Sequence, residues 1–191
     1  LYEWVMFLIS FYIRIKSSLK IDFESFIILQ VIVSHTLYKL NKEQSVPGRS
    51  WDPNLRESTV KKDYKDSNDL YVSPRANYFP ITNYFKLLSE CTKRYTEKYE
   101  AANEHLASWS MIEDFNIQHY PIGGGFKEWH CERPNPGKLN RILVFMTYLN
   151  SCDGGTRFKN QGITIPATKG LTLIWPSDFK VTIIKFFYIT V

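Results

Sequence analysis

His130 and Glu132 stand two residues apart in the run Trp129-His130-Cys131-Glu132. The run reads as a strand, and successive strand side chains alternate faces. His130 and Glu132 are therefore expected on one face, with Trp129 and Cys131 on the other. An imidazole beside a carboxylate, completed by a second histidine from a distant strand, is the facial set that holds non-haem Fe(II) and leaves positions open for substrate and oxygen. The pair alone is a weak motif: 4 histidines and 19 acidic residues in 191 give about 0.4 His-x-acid matches by chance. Its neighbourhood has to carry the argument.

Elements that could position the pair flank it on both sides. Tyr120-Pro121-Ile122-Gly123-Gly124-Gly125-Phe126 gives a strand end and then glycines that permit positive φ and close backbone approach. Arg141 to Leu149 is an apolar run of strand length, followed by a turn expected at Asp153-Gly154-Gly155. Strand-like pieces follow at Thr156–Phe158, Ile163–Ile165 and Leu171–Trp175, with a turn marked by Pro166 and Gly170. Short strands with glycine turns predict a sandwich or jelly roll.

These blocks, HYPIGGGFKEWHCE, RILVFMTYLN, GGTRF and KGLTLIWPSDF, resemble in order and spacing the Fe(II)/2-oxoglutarate-dependent dioxygenases of the prolyl 4-hydroxylase type. The likeness runs from about Ile112 to Phe179 and more loosely back to Glu57. It implies a mainly β fold with supporting helices (α+β), a double-stranded β-helix, incomplete at the C-terminus. Composition sets residues 1–48 apart as an apolar N-terminal segment of uncertain role, and the resemblance implies 49–191 as the dioxygenase-like domain, with the β-helix core from about 112. His130 and Glu132 would be the first two metal ligands, Glu132 standing where many relatives have Asp. Tyr148 matches the tyrosine that hydrogen-bonds the distal carboxylate of 2-oxoglutarate, and Tyr120 one lining the same pocket. The implied cofactors are Fe(II) and 2-oxoglutarate as co-substrate, with room for ascorbate. The implied activity is hydroxylation of a C–H bond, a prolyl residue being one candidate target. Arg157 departs from the GGTEF common in the family.

The larger departure follows Pro176. Relatives continue into a distal His ligand and, about ten residues later, a Lys or Arg that pairs with the co-substrate; here no histidine follows His130. A frame slip or deletion near Lys180 accounts for this, and so does a chain that has lost iron chemistry and kept its fold. Lys185 is the only cation of the Val181–Val191 tail. Impaired turnover is the expectation. His119 and His105 are poor substitutes, because the family draws its second histidine from a later strand.

Across the whole chain, 44% hydrophobic and 16% aromatic residues exclude disorder. The net charge of +5 comes from scattered lysines, which leaves nucleic acid open as a partner without pointing to it. Cys91, Cys131 and Cys152 form no C-x-x-C pair and predict reduced thiols, hence a cytoplasmic protein. Leu1–Arg14 is strongly apolar but too short for a span of about 20 residues. A buried helix or strand is expected there, with a membrane anchor as the lesser reading and the missing initiator Met as a sign of a fragment. Phe26–Val33 is a second core-type run, with His35 after it as a structural histidine.

In the polar middle, Arg56–Lys62 suggests the start of a strand and the charges from Lys61 to Asp69 suggest a solvated loop. Thr82 is the expected cap of a helix over Asn83–Ala102, whose Tyr84, Leu88, Cys91, Tyr95, Tyr99 and Ala102 would pack on the sheet. Two functional classes remain: an oxygenase acting on a peptide or protein, and a catalytically silent jelly roll that binds a partner in the same groove.

Overall fold

The computed structural model describes residues 5–8, 11–12, 42–99, 110–111, 113–177 and 182–188. Its strands are all paired antiparallel. One sheet runs β2 (Phe11–Tyr12), β13 (Thr172–Pro176), β10 (Leu143–Tyr148), β1 (Val5–Leu8), β8 (Phe115–His119), β7 (Asn68–Val72) and β3 (Val46–Pro47). The other runs β12 (Ile163–Pro166), β11 (Asp153–Phe158), β14 (Ile183–Tyr188), β9 (Gly125–His130) and β6 (Lys65–Asp66). A hairpin of β4 (Ser50–Asp52) and β5 (Glu57–Thr59) stands beside them. The architecture is the mainly β jelly roll that the strand-turn rhythm predicts.

Side-chain alternation builds the two layers. On β10, Met146 and Tyr148 enter a core with Tyr120, Phe158, Leu173, Trp175 and Ile183, while Phe145 packs on the opposite side with Leu88 and Phe115. That opposite side is covered by α1 (Ile81–Lys98), which buries Ile81, Tyr84, Leu88 and Tyr95. Each large apolar side chain so buried contributes about 1.5–3 kcal/mol. The Tyr84 hydroxyl lies 3.1 Å from Thr147 Oγ1, which fixes the helix along β10.

The helix begins two residues before the sequence expectation. Pro80 holds its cap position, no side chain bonds the first turn, and Thr82 is exposed within the helix. Proline lacks an N–H, so it loses no helical bond there. The apolar stripe stops at Tyr95: Tyr99 is exposed, and its ring lies tilted at 45° against that of Tyr95 with centroids 4.7 Å apart.

Two other expectations are corrected. Lys61–Asp69 is no solvated loop, because Lys65, Ser67 and Asp69 are buried on β6 and β7 and around them. Asp69 accepts hydrogen bonds from Lys65, from Ser67 Oγ at 2.8 Å and from Gln118 Nε2 at 3.3 Å, and this pairing offsets the cost of burying its charge. Asp153-Gly154-Gly155 is not a turn but the first half of β11, facing Tyr188, Phe187 and Phe186 of β14. A Cβ on Gly155 would lie 2.1 Å from the Ile165 carbonyl oxygen, so glycine serves close strand approach.

The apolar N-terminal run is strand where it is described, with β1 between β10 and β8. The Phe26–Val33 run, His35, Ala102, His105 and Lys180 lie outside the described residues. Among the described residues no helix is long and apolar enough to cross a membrane.

Candidate functional site

β9 lies between β14 and β6, and its glycine start is what allows this. A Cβ on Gly125 would sit 2.4 Å from the Lys185 carbonyl oxygen of β14. Ile183 pairs with His130 and Lys185 with Phe126, so four steps along β9 match two along β14. That bulge re-aims the end of the strand. It brings the His130 ring onto Phe126, stacked with centroids 3.5 Å apart.

His130 Nδ1 lies 2.8 Å from the Glu128 carbonyl oxygen. A carbonyl only accepts, so Nδ1 carries the proton and Nε2 presents a lone pair, the orientation that a ligating imidazole needs. Burial pushes the His130 pKa down, against the pull of Glu132, and favours the neutral ring.

Glu132 lies past the end of β9, in a bend, so strand alternation is not what brings it to His130. Its Oε1 nevertheless approaches His130 Nε2 to 3.7 Å. Arg141 sets that bend: its NH1 donates to the Glu132 carbonyl oxygen at 2.9 Å, while Nε and NH2 grip Glu113, each at 2.9 Å. Trp129 and Cys131 also border the cavity that His130 and Glu132 line.

The side chain that completes the cluster is Lys185. It is fully buried, and its Nζ lies 3.8 Å from Glu132 Oε1. Burial lowers the Lys185 pKa to about 8, with Glu132 opposing the shift. Burial alone would raise the Glu132 carboxyl; Lys185 first, then His130 and Arg141, outweigh it and hold the group well below the usual carboxylate range. His130 Nε2, Glu132 Oε1 and Lys185 Nζ are all buried and none has a partner at hydrogen-bonding distance. Lys185 was legible only as a lone charge in the strand-like run Ile183–Tyr188, and spacing gave no hint of its carboxylate partner.

The cavity measures about 880 Å³ and is bordered by Trp51, Tyr64, Tyr71, Gln118, Trp129 and Arg141, among others. Tyr148 lies on the inner face of β10 but does not open onto this space. Its hydroxyl is 2.6 Å from Thr156 Oγ1, within the core between the sheets. Tyr120 sits in the same core and donates to Gln118 Oε1 at 2.7 Å, so only its partner reaches the cavity wall. His119 follows Phe115 and Ile117 in alternation on β8, on the helix side and away from Gln118.

A resident Fe(II) therefore finds an incomplete donor set. The orphaned Nε2 and Oε1 suit two positions of a divalent ion, but among the described residues no third His, Cys, Asp or Glu joins them. The neighbour on the remaining side is an amine with its own affinity for Glu132.

No family model matches the chain, and no curated protein matches it. Several solved structures do, among them a prolyl-4-hydroxylase from Pseudomonas putida. That likeness has a TM-score of 0.54 at 13% sequence identity, and covers 84% of this chain and 86% of that one. The fold is thus a jelly roll like that of the prolyl-4-hydroxylase.

Proposed function

We propose that the chain has the frame of an Fe(II)- and 2-oxoglutarate-dependent oxygenase, with His130 and Glu132 as its two remaining metal ligands, and that its turnover is impaired. The observation that carries the reading is the convergence of a lone-pair-bearing His130 Nε2 and Glu132 Oε1, 3.7 Å apart and both orphaned, on one large cavity of a prolyl-4-hydroxylase-like fold. Such a metal would supply activation of oxygen for C–H hydroxylation. The chain's own contribution is to fix the imidazole tautomer through Glu128 and to hold the backbone carbonyl of Glu132 with Arg141.

For the co-substrate, Tyr120 and Tyr148 stand behind the cavity wall with their hydroxyls bonded to Gln118 and Thr156, so the role the resemblance gives them requires those bonds to open. The partner is a peptide or protein. Half-exposed aromatic residues Tyr64, Tyr71 and Trp129 border the cavity and offer an extended segment flat apolar faces. The three free thiols suit a reducing, cytoplasmic setting.

A second reading, a silent module that binds its partner in the same cavity, is favoured by one observation: the ammonium of Lys185 already neutralises Glu132. Succinate release from 2-oxoglutarate under iron and oxygen tests the proposal. The chain should release little, and a chimera whose Lys180–Val191 segment comes from an active prolyl hydroxylase should release succinate. Full turnover by the natural chain would refute impairment; silence of both proteins would favour the binding module.

A further inference from the structure

Three ion pairs lie around β9 and β14, two of them buried and the third about one-third exposed. Lys65 is taken by Asp69, at 2.5 Å, with both side chains buried. Arg141 is taken by Glu113 through two bonds. Lys185 is left with Glu132, whose other carboxylate oxygen lies 3.9 Å from Arg141 NH1. Phe126 separates the two lysines, with Lys65 Nζ 5.9 Å and Lys185 Nζ 6.0 Å from its ring centroid.

The charges of the two buried pairs balance, as they must because the interior solvates an excess poorly. A divalent ion placed between His130 and Glu132 would add two positive charges beside an ammonium that has no route to water along its own strand. The two cations would compete for one carboxylate and repel each other across a poorly solvated site.

We propose that Lys185 is the built-in cation of this site: its Nζ stands in for a metal ion beside Glu132 and closes the His130–Glu132 pair to divalent metals. This rests on the reading that the pair descends from a metal site. The assignment follows from placement: Lys185 is held at zero exposure by β9 and β11 on either side, and its backbone is locked against Gly125. Removing its charge should therefore do what removal of a ligand never does, and raise metal affinity.

The test is titration with Co(II), followed by its visible absorption and by thermal unfolding. In the natural chain, about 1 mM Co(II) should leave the unfolding midpoint unchanged, since a ligand stabilises only in proportion to its binding. Lys185→Met should bind Co(II) more than about tenfold more tightly than the natural chain, and His130→Ala in that background should abolish the gain. Lys185→Gln, which keeps a polar head without the charge, repeats the comparison should the methionine variant fold poorly.

A natural chain stabilised by Co(II) and weakened in that response by Lys185→Met would overturn the proposal, because the amine would then be a ligand. Equal binding by both proteins, abolished by His130→Ala, would also overturn it while leaving the metal-site reading intact. Binding by the Lys185 variants that ignores His130→Ala would instead count against the metal-site reading itself. Should both variants fail to fold, the natural chain still decides against the proposal if its midpoint rises with Co(II), since a built-in cation forbids that.

Discussion

At the scale of single residues, the site is governed by which charge is left uncompensated. Glu132 is the carboxylate nearest Lys185, and Lys185 is fully buried, so Glu132→Gln strands an ammonium in the interior. Removing one partner of a buried pair costs about 3–5 kcal/mol, whereas replacing both by apolar groups is often neutral. Glu132→Gln should accordingly lower the urea midpoint strongly, and Glu132→Leu combined with Lys185→Met should recover most of the loss. A double variant as unstable as the single one would show that Lys185 draws its stability from elsewhere. Tyr84→Phe is a gentler case. It removes one buried hydroxyl contact with Thr147, which itself keeps Thr172 Oγ1 at 2.8 Å, so a loss of about 1 kcal/mol is expected from chemical denaturation.

At the scale of elements, β9 and β14 are the pair on which the site depends, and glycine sets their spacing. Gly125 has a φ of 156° and no room for a Cβ against Lys185 O. Gly125→Ala should push the strands apart and cost about 2 kcal/mol or more. Hydrogen exchange should quicken at β9 and β14 and stay unchanged along α1; uniform protection in the variant would contradict this account. What could be read in the sequence follows the same division. Continuous apolar runs such as Leu143–Tyr148 announce themselves because both faces are occupied by ordinary core residues. Gly154 and Gly155 read as a turn although they lie in β11, since a sequence does not reveal that a neighbouring backbone needs the Cβ space. Lys65 and Asp69 read as solvated for a similar reason: Asp69, the partner of Lys65, is also met by Asn116 and Gln118 of β8, which lie 47 and 49 residues away. His130 and Glu132 were found together by spacing. The bend that unites them comes from Arg141, which no local pattern links to them.

At the scale of the molecule, Glu113 ties the segment before β8 to the connection between β9 and β10 by accepting bonds from Arg141 and Lys138. These bonds, Arg141's first, hold its pKa at about 2 against an ordinary value of 4.5. A depressed carboxylate stabilises the folded chain fully above its unfolded pKa, and the contribution fades as pH falls from there through the folded value. The gap in stability between the natural chain and Glu113→Gln should thus be constant above pH 4.5, shrink between 4.5 and about 2, and vanish below. Its plateau should be about 1 kcal/mol, because the Glu113 side chain is 35% exposed and solvent screens much of the attraction. Urea unfolding of both proteins at a series of pH values measures the gap directly. A gap that widens on acidification would mean that Glu113 is better held when protonated, and the two connections would then have to be joined by something other than this ion pair.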